Sequence, residues 1–191
     1  MTPSNGFTAT TGTPVLWLVG ALGTGKSDTS YHLFSRLFRS GMLTGRLDLD
    51  DVGMCYPAPE DDPHNHRVKA SAMAATWSVF RDHGARCLVL SGGVTSSAEV
   101  DLHKALIPDA DWSVVRLRIG AAERRRRTAA RGRLLGQDSR AIERSIEAGT
   151  EDEATLESSW PSFADVVIDT DGLNQQRVVD RVLEVTGWPG L

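Results

Sequence analysis

The sequence predicts an α/β protein: a three-layer sandwich in which helices cover both faces of a five-stranded parallel sheet. Short apolar runs alternate with helical patterns along the chain, which is typical of strands and helices in βα units. The run Val15–Val19 is apolar without a break, as expected of a strand buried on both faces. The chain has 191 residues, of which 40% are apolar and 24% charged, and this suits one such domain.

Each predicted strand is followed by at least one helix. The predicted strands are 15–19, 46–50, 86–90, 114–119 and 165–169. The predicted helices are 26–39, 63–83, 97–106, 121–131, 139–148, 153–160 and 174–186. Pro63 suits the first turn of its helix because its missing N–H would be unpaired there. Residues 1–13 are rich in Thr, Ser and Gly and predict a short disordered lead-in, and residues 14–191 form the domain.

Bulk composition excludes several classes of protein. The formal net charge of -4 disfavours a protein that binds nucleic acid non-specifically. No run approaches the ~18 apolar residues of a membrane span, and the N-terminus lacks the features of a signal peptide. Cys55 and Cys87 are far apart, and no Cys/His spacing matches a zinc site. We therefore expect a cytoplasmic protein, and its oligomeric state stays open.

The first strand runs into Gly20-Ala21-Leu22-Gly23-Thr24-Gly25-Lys26-Ser27, which matches the phosphate-binding pattern GxxxxGK[ST] and opens a helix. Glycines let the backbone turn its N–H groups toward phosphate oxygens, and the helix N-terminus adds positive charge. The predicted nucleotide-binding residues are Gly20, Gly23, Thr24, Gly25, Lys26 and Ser27. Lys26 would contact the β- and γ-phosphates, and the Ser27 hydroxyl would bind Mg²⁺.

Asp28 follows this motif directly. A carboxylate in the first turn of a helix is stabilised by the helix dipole. Beside a polyphosphate it is repulsive unless it points away or helps to hold metal-bound water. Weakened nucleotide affinity is therefore one possible consequence.

Carboxylates also end the second predicted strand, in Asp48-Leu49-Asp50-Asp51. Ligands of open α/β sheets bind at the carboxyl ends of strands, so these side chains should lie near the phosphate-binding loop. Alternation along a strand predicts that Asp48 and Asp50 share one side. The alternative is that one carboxylate caps the next turn while the others are solvated.

Ser91-Gly92-Gly93 follows the third strand. A glycine pair permits a ligand to approach the backbone closely, although an ordinary turn explains it equally well. Ser91 stands where motor proteins and GTPases carry the acid of a Walker B motif, which disfavours both classes.

A basic segment, Glu123 to Arg133, follows the fourth strand. Helical spacing places Arg124, Arg127 and Arg131 along one face. Gly132 and Gly136 bracket a predicted tip. The alternatives are a solvated face and a patch that contacts RNA.

Taken together, these motifs resemble the P-loop small-molecule kinases of the nucleoside-monophosphate-kinase-like fold, the group of shikimate, gluconate and adenylylsulfate kinases. The chain is also similar to actinobacterial ATP-binding proteins of this layout. The resemblance covers nearly all of the chain from Pro14, and the phosphate-binding motif is its most specific part.

The resemblance implies roles for further residues. Asp50 would orient an acceptor hydroxyl or accept its proton and would contact the Mg²⁺ water shell, with Asp48 in support. Gly92 and Gly93 would line the acceptor pocket. Arg67 and Lys69 would contact an anionic acceptor, and the alternative is that both are surface charges near Asp61 and Asp62. A lid at about 124–140 would bring Arg127 and Arg131 over the phosphates. His66-Arg67-Val68-Lys69 replaces the F-R-x-x-E of shikimate kinases, which makes shikimate an unexpected substrate.

The predicted function is ATP- and Mg²⁺-dependent transfer of a phosphoryl group to a small-molecule acceptor, with Lys26, Asp50, Arg127 and Arg131 as catalytic residues. Ser27 and Asp50 are the predicted metal contacts. Two rival hypotheses are a nucleotide hydrolase or switch, and a degenerate nucleotide-binding module without transfer activity. An RNA kinase is a minor alternative, based on the arginine cluster.

Overall fold

Five parallel strands form one sheet in the order β2-β3-β1-β4-β5. The computed structural model describes residues 12–188. Its strands are β1 (Thr13–Val19), β2 (Thr44–Asp48), β3 (Cys87–Ser91), β4 (Ala110–Arg118) and β5 (Val166–Asp169). Its helices are α1 (Lys26–Arg39), α2 (Leu49–Val52), α3 (His66–Asp82), α4 (Ser97–Lys104), α5 (Ala121–Leu134), α6 (Ser139–Ser159) and α7 (Gln175–Thr186). The predicted fold class is confirmed.

The central strand β1 separates two apolar cores because its alternate side chains point to opposite faces of the sheet. On one face, Trp17 packs with residues of α3, α4 and α6. On the other face, Leu16 and Leu18 pack with residues of α1 and α7. Strand β1 is thus buried on both faces. The predicted phosphate-binding loop begins at its carboxyl end, where ligands of open α/β sheets bind.

Several predicted boundaries were wrong near the carboxyl end of the sheet. Strand β2 ends at Asp48, and Asp50 lies in the short helix α2. Helix α3 begins at His66 and not at Pro63. Its first turn is capped by the Asp62 carboxylate, which accepts hydrogen bonds from the amides of His66 and Arg67 at 2.8 and 3.0 Å. A side-chain cap thus replaces the predicted proline start.

Glycines misled the prediction in the second half of the chain. Helix α5 continues through Gly132, so the tip of the α5–α6 hairpin lies at residues 135–138. Helix α6 runs without the break predicted between 148 and 153. A Cβ atom on Gly149 would lie 3.0 Å from the Leu22 carbonyl oxygen, so this glycine lets α6 pack closely against the phosphate-binding loop. It marks a close approach and not the end of a helix.

The N-terminal prediction concerns mainly residues outside the described range. Residues 1–11 lie outside it, and Thr13, placed in the lead-in by prediction, is the first residue of β1. No helix within residues 12–188 is both long enough and apolar enough to cross a membrane.

A buried ion-pair network joins the α5–α6 hairpin to the sheet. Arg116 on β4 is fully buried, and its guanidinium lies 2.5 Å from Glu153 and 2.8 Å from Glu157 on α6. The second oxygen of Glu153 lies 3.3 Å from the guanidinium of Arg124 on α5. Glu153 therefore holds two buried cations that come from different elements.

Replacing Glu153 should destabilise the fold strongly, because it leaves buried arginines without their shared counter-ion. We expect Glu153→Gln to lower the free energy of unfolding by about 3–5 kcal/mol in urea denaturation. The exposed neighbour provides a matched control, and Glu151→Gln should change the free energy by less than about 0.5 kcal/mol. Equal effects of the two substitutions would show that the network does not stabilise the fold.

Candidate active site

The loop between β1 and α1 has the backbone conformation expected of the GxxxxGK[ST] motif. Gly20, Gly23 and Gly25 all have positive φ, at 148°, 88° and 90°, a region that favours glycine. The Thr24 hydroxyl turns inward and donates to the Ala21 carbonyl at 2.9 Å. The Thr24 side chain therefore braces the loop from within.

Lys26 is the first residue of α1 and lies among acidic side chains. Its Nζ donates to the Ala21 carbonyl at 3.4 Å. Burial lowers the pKa of Lys26, and the nearby carboxylates of Asp50 and Asp48 partly oppose this effect. A desolvated ammonium group at this position is suited to bind a phosphate.

Asp28 lies on the exposed side of α1. The charges that act most strongly on Lys26 are those of Asp50, Asp48, Asp152 and Lys69. The exposed position of Asp28 is the arrangement in which its carboxylate interferes least with a polyphosphate.

Asp48 takes part in a buried polar network at the ends of β2 and β3. Its Oδ2 accepts a hydrogen bond from the Ser91 hydroxyl at 3.0 Å, and Ser91 accepts one from Ser30 of α1 at 3.1 Å. Arg46 donates to the Ser30 hydroxyl at 2.9 Å and to the Ser27 carbonyl at 3.3 Å. Ser91, which stands where a Walker B acid would be, therefore binds the carboxylate of Asp48 from the neighbouring strand β2.

Asp50 reaches the site from α2. Its Oδ1 accepts hydrogen bonds from Lys69 Nζ at 2.9 Å and from the Gly93 amide at 3.3 Å. Burial by itself raises the pKa of Asp50, but the charges of Lys26 and Lys69 outweigh it and hold the pKa below its ordinary value. Asp50 is therefore ionised at neutral pH.

The alternation argument for Asp48 and Asp50 was wrong, because the two residues do not lie on one strand. Asp48 is the N-cap of α2, and its Oδ1 accepts from the Asp50 amide at 3.2 Å. A helical turn, not a strand, brings the two carboxylates together. Asp48 thus has the capping role that was the alternative, while its second oxygen faces Ser91.

The two glycines after β3 have different surroundings. A Cβ on Gly92 would lie 2.7 Å from the Cβ of Leu49, so Gly92 lets β3 pack closely against α2. Gly93 has open space where a Cβ would be, and its amide binds Asp50. Of the pair, Gly93 is the one that lies at an open surface beside the predicted catalytic carboxylate.

The predicted lid arginines occupy three different environments. Arg127 donates to Glu123 at 2.6 Å and to the Thr170 carbonyl at 3.2 Å, and its guanidinium lies next to Gly25. Arg124 is buried against Glu153, whereas Arg131 is exposed on the outer part of the hairpin. Arg127 is thus beside the loop already, and closure of a lid stays a prediction.

Arg67 lies apart from this arrangement. Both ends of its guanidinium donate to the Asp61 carboxylate, at 2.9 and 2.8 Å. Lys69, two residues further along α3, is the basic residue that contacts Asp50.

The sequence reasoning missed Arg116, Glu153, Asp152 and Gln175. A charged residue inside the apolar run of β4 was a usable signal, because a buried arginine needs a buried counter-ion. No comparable signal identifies Gln175, whose side chain lies beside Gly25, or Asp152, whose charge acts on Lys26. Within residues 12–188, no three His, Cys, Asp or Glu side chains are arranged to hold a metal ion by themselves.

The chain is similar to solved structures that include small-molecule kinases. Shikimate kinase from Acinetobacter baumannii, in complex with shikimate, is 18% identical with a TM-score of 0.60, covering 93% of this chain and 95% of that one. The APS kinase of Mycobacterium tuberculosis, in complex with AMPPNP and APS, is 15% identical with a TM-score of 0.59, covering 92% and 98%. The tunicamycin resistance protein of Deinococcus radiodurans is 15% identical with a TM-score of 0.59, covering 91% and 96%.

These similarities show that the chain has the fold of P-loop small-molecule kinases. No protein-family model and no curated protein matches the sequence.

Removing Lys69 should raise the pKa of Asp50, because the desolvation remains while one of the two compensating charges is lost. We expect Lys69→Met to raise this pKa relative to the wild type in a carbon-13 NMR titration of the Asp50 carboxyl group. Because folding lowers the pKa of Asp50, its ion pair stabilises the fold at neutral pH. This stabilisation is lost as the pH falls through the lowered pKa.

Lys104→Met is the matched control and should leave the titration of Asp50 unchanged. An Asp50 pKa that did not move in Lys69→Met would contradict the ion pair.

Proposed function

We propose that the protein transfers the γ-phosphoryl group of ATP to a hydroxyl group of a small molecule, with Mg²⁺ as the cofactor. The observation that supports this most is the placement of Lys26 beside the ionised carboxylate of Asp50, at the mouth of a phosphate-binding loop. In-line transfer requires the γ-phosphate and the acceptor hydroxyl to be held next to each other. Lys26 would bind the phosphate, and the neighbouring carboxylate of Asp50 would bind the hydroxyl.

The loop and α1 would hold the nucleotide. Backbone amides of residues 20–25 and the Lys26 ammonium group would bind the β- and γ-phosphates. The Ser27 hydroxyl and the carboxylate of Asp50, with Asp48 close by, offer the hard oxygen atoms that Mg²⁺ prefers. Phosphate oxygens and water complete the coordination in such sites, so few protein oxygens are needed.

Asp50 would orient the acceptor. Its Oδ1 is occupied by Lys69 and Gly93, and half of its side chain is exposed. A carboxylate with a lowered pKa is a weak base but a good hydrogen-bond acceptor for a hydroxyl group. Phosphoryl transfer has a largely dissociative transition state and depends mainly on positioning and charge, so a weak base is sufficient.

Arginines of the hairpin would neutralise charge that develops on the phosphates. Arg127 lies next to Gly25, and Arg131 is exposed further along α5. Guanidinium groups bind phosphate oxygens through two parallel hydrogen bonds, and this contact both attracts the phosphate group and orients it.

The first test is ATP binding measured by isothermal titration in the presence of Mg²⁺. We expect Lys26→Ala to weaken binding by about 10- to 100-fold, the contribution of a hydrogen bond to a charged group. Lys104→Ala, a substitution on α4, should bind ATP like the wild type. Equal binding by Lys26→Ala and the wild type would contradict the proposed cradle.

The second test is acceptor-dependent turnover. ADP release should be slow with ATP alone and should rise when the small-molecule fraction of a bacterial extract is added. Rapid turnover without any acceptor would instead indicate a hydrolase, and ATP binding without turnover in either condition would indicate a binding module.

Two neighbouring arginines distinguish a phosphate contact from general surface charge. Arg126 and Arg127 both pair with Glu123, but Arg126 is 70% exposed and Arg127 only 26%. We expect Arg127→Ala to weaken ATP binding by about three- to tenfold, and Arg126→Ala to have little effect. The same loss in both variants would assign the effect to net charge.

A further inference from the structure

The charges around Asp50 also bear on the chemical class of the acceptor. If Lys26 binds ATP, an acceptor must approach Asp50 from the side formed by α2, the segment 53–65, the start of α3 and Gly93. We call this group of residues the acceptor side. An acidic acceptor would need a cation here that is both accessible and not already paired.

Lys69 does not meet this requirement. Its ammonium group donates to Asp50 at 2.9 Å, and its side chain is 11% exposed while that of Asp50 is 48% exposed. A molecule that reaches this pair therefore meets the carboxylate first, with the lysine behind it.

Arg67 is accessible but already neutralised. Its guanidinium makes a two-pronged contact with Asp61, at 2.9 and 2.8 Å, and its Nε lies 3.6 Å from Asp62. To bind an anion, Arg67 would have to give up this pair, which is the strongest geometry an arginine and a carboxylate form.

His66 adds no positive charge. Its side chain is buried, and burial lowers its pKa, although Glu99 at 3.4 Å acts in the opposite direction. The imidazole is therefore neutral at neutral pH.

The balance of charge on the acceptor side is negative. Residues 48–69 contain six carboxylates and only two cations, Arg67 and Lys69, so this segment alone carries the formal charge of -4 that the whole chain has. The charge of Asp152 on α6 also acts on Lys26, which adds a negative charge near the loop. Arg124 and Arg127 of α5 lie close to the loop, and the proposed reaction uses Arg127 for the phosphates of ATP. Arg46 of β2 is engaged by the Ser30 hydroxyl and the Ser27 carbonyl.

We infer that the acceptor is a hydroxyl compound without any anionic group, either uncharged, like a polyol, or positively charged through an amine. This inference rests on the proposed kinase function and concerns the acceptor side of the same site. The Asp50 carboxylate accepts a hydrogen bond from the hydroxyl, and the surrounding negative charge favours an amine and repels a carboxylate or phosphate.

Fractionation by charge tests the inference even while the acceptor is unidentified. The small-molecule fraction of a bacterial extract is passed over an anion exchanger at neutral pH, and transfer of radiolabelled γ-phosphate from ATP to a product is measured. We expect the flow-through to support transfer. Support by the salt-eluted fraction alone would overturn the inference while leaving the kinase function intact. No transfer even with the unfractionated material would overturn the proposed function and this inference with it.

Arg67→Gln provides a second readout with the fraction that supports transfer. If the acceptor carries no anion, the variant should keep the wild-type acceptor KM to within about twofold. A rise in acceptor KM of about tenfold or more, at unchanged KM for ATP, would show that Arg67 binds an anionic group and would contradict the inference.

Discussion

The position of the α5–α6 hairpin beside the site depends on one largely buried carboxylate, that of Glu153. Glu153 binds Arg116 of the sheet with one oxygen and lies near Arg124 of α5 with the other, so one side chain fixes two helices relative to the central strands. Helix α6 can then pack against the phosphate-binding loop at Gly149. Burying ions is costly unless each is paired, so removing Glu153 would leave buried charge without compensation. The position of Arg127 beside Gly25 follows from the same fixed α5.

Around Asp50, paired side chains set the charge that a ligand meets. Lys26 and Lys69 flank Asp50, and both lower its pKa. The two lysines differ in environment, because Lys69 is covered by its partner while Lys26 lies at the proposed phosphate-binding loop. The charge of Asp50 is therefore compensated without any ligand. In the proposed reaction this compensation would let the carboxylate remain ionised next to the phosphates of ATP.

The sequence predicted the fold and the strand–loop–helix arrangement around Gly20 to Ser27 well because both depend on local patterns. The apolar strand β1, the motif from Gly20 to Ser27 and the helix 26–39 are each encoded within a few neighbouring residues. The placement of Asp50 was less predictable, because a two-residue change in the end of β2 converts strand geometry into a helical turn. Lys69 and Glu153 could not be placed from spacing, since their partners on α2 and β4 are 19 and 37 residues away and meet them only through the tertiary fold. Gly149 shows the same limit, because only the fold reveals that Leu22 approaches it.

The hydrogen bond between Asp48 and Ser91 has a consequence for dynamics. Strand β2 is at the edge of the sheet, where backbone hydrogen bonds open more readily than in the centre. Its last residue is tied to β3 through Ser91, and Ser91 is linked in turn to Ser30 of α1. Arg46 also donates to Ser30 and to the Ser27 carbonyl. Opening that reaches Asp48 would also release the N-cap of α2 and with it Asp50. Exchange of the amides at the end of β2 with solvent would therefore also report how often the site loses its carboxylates.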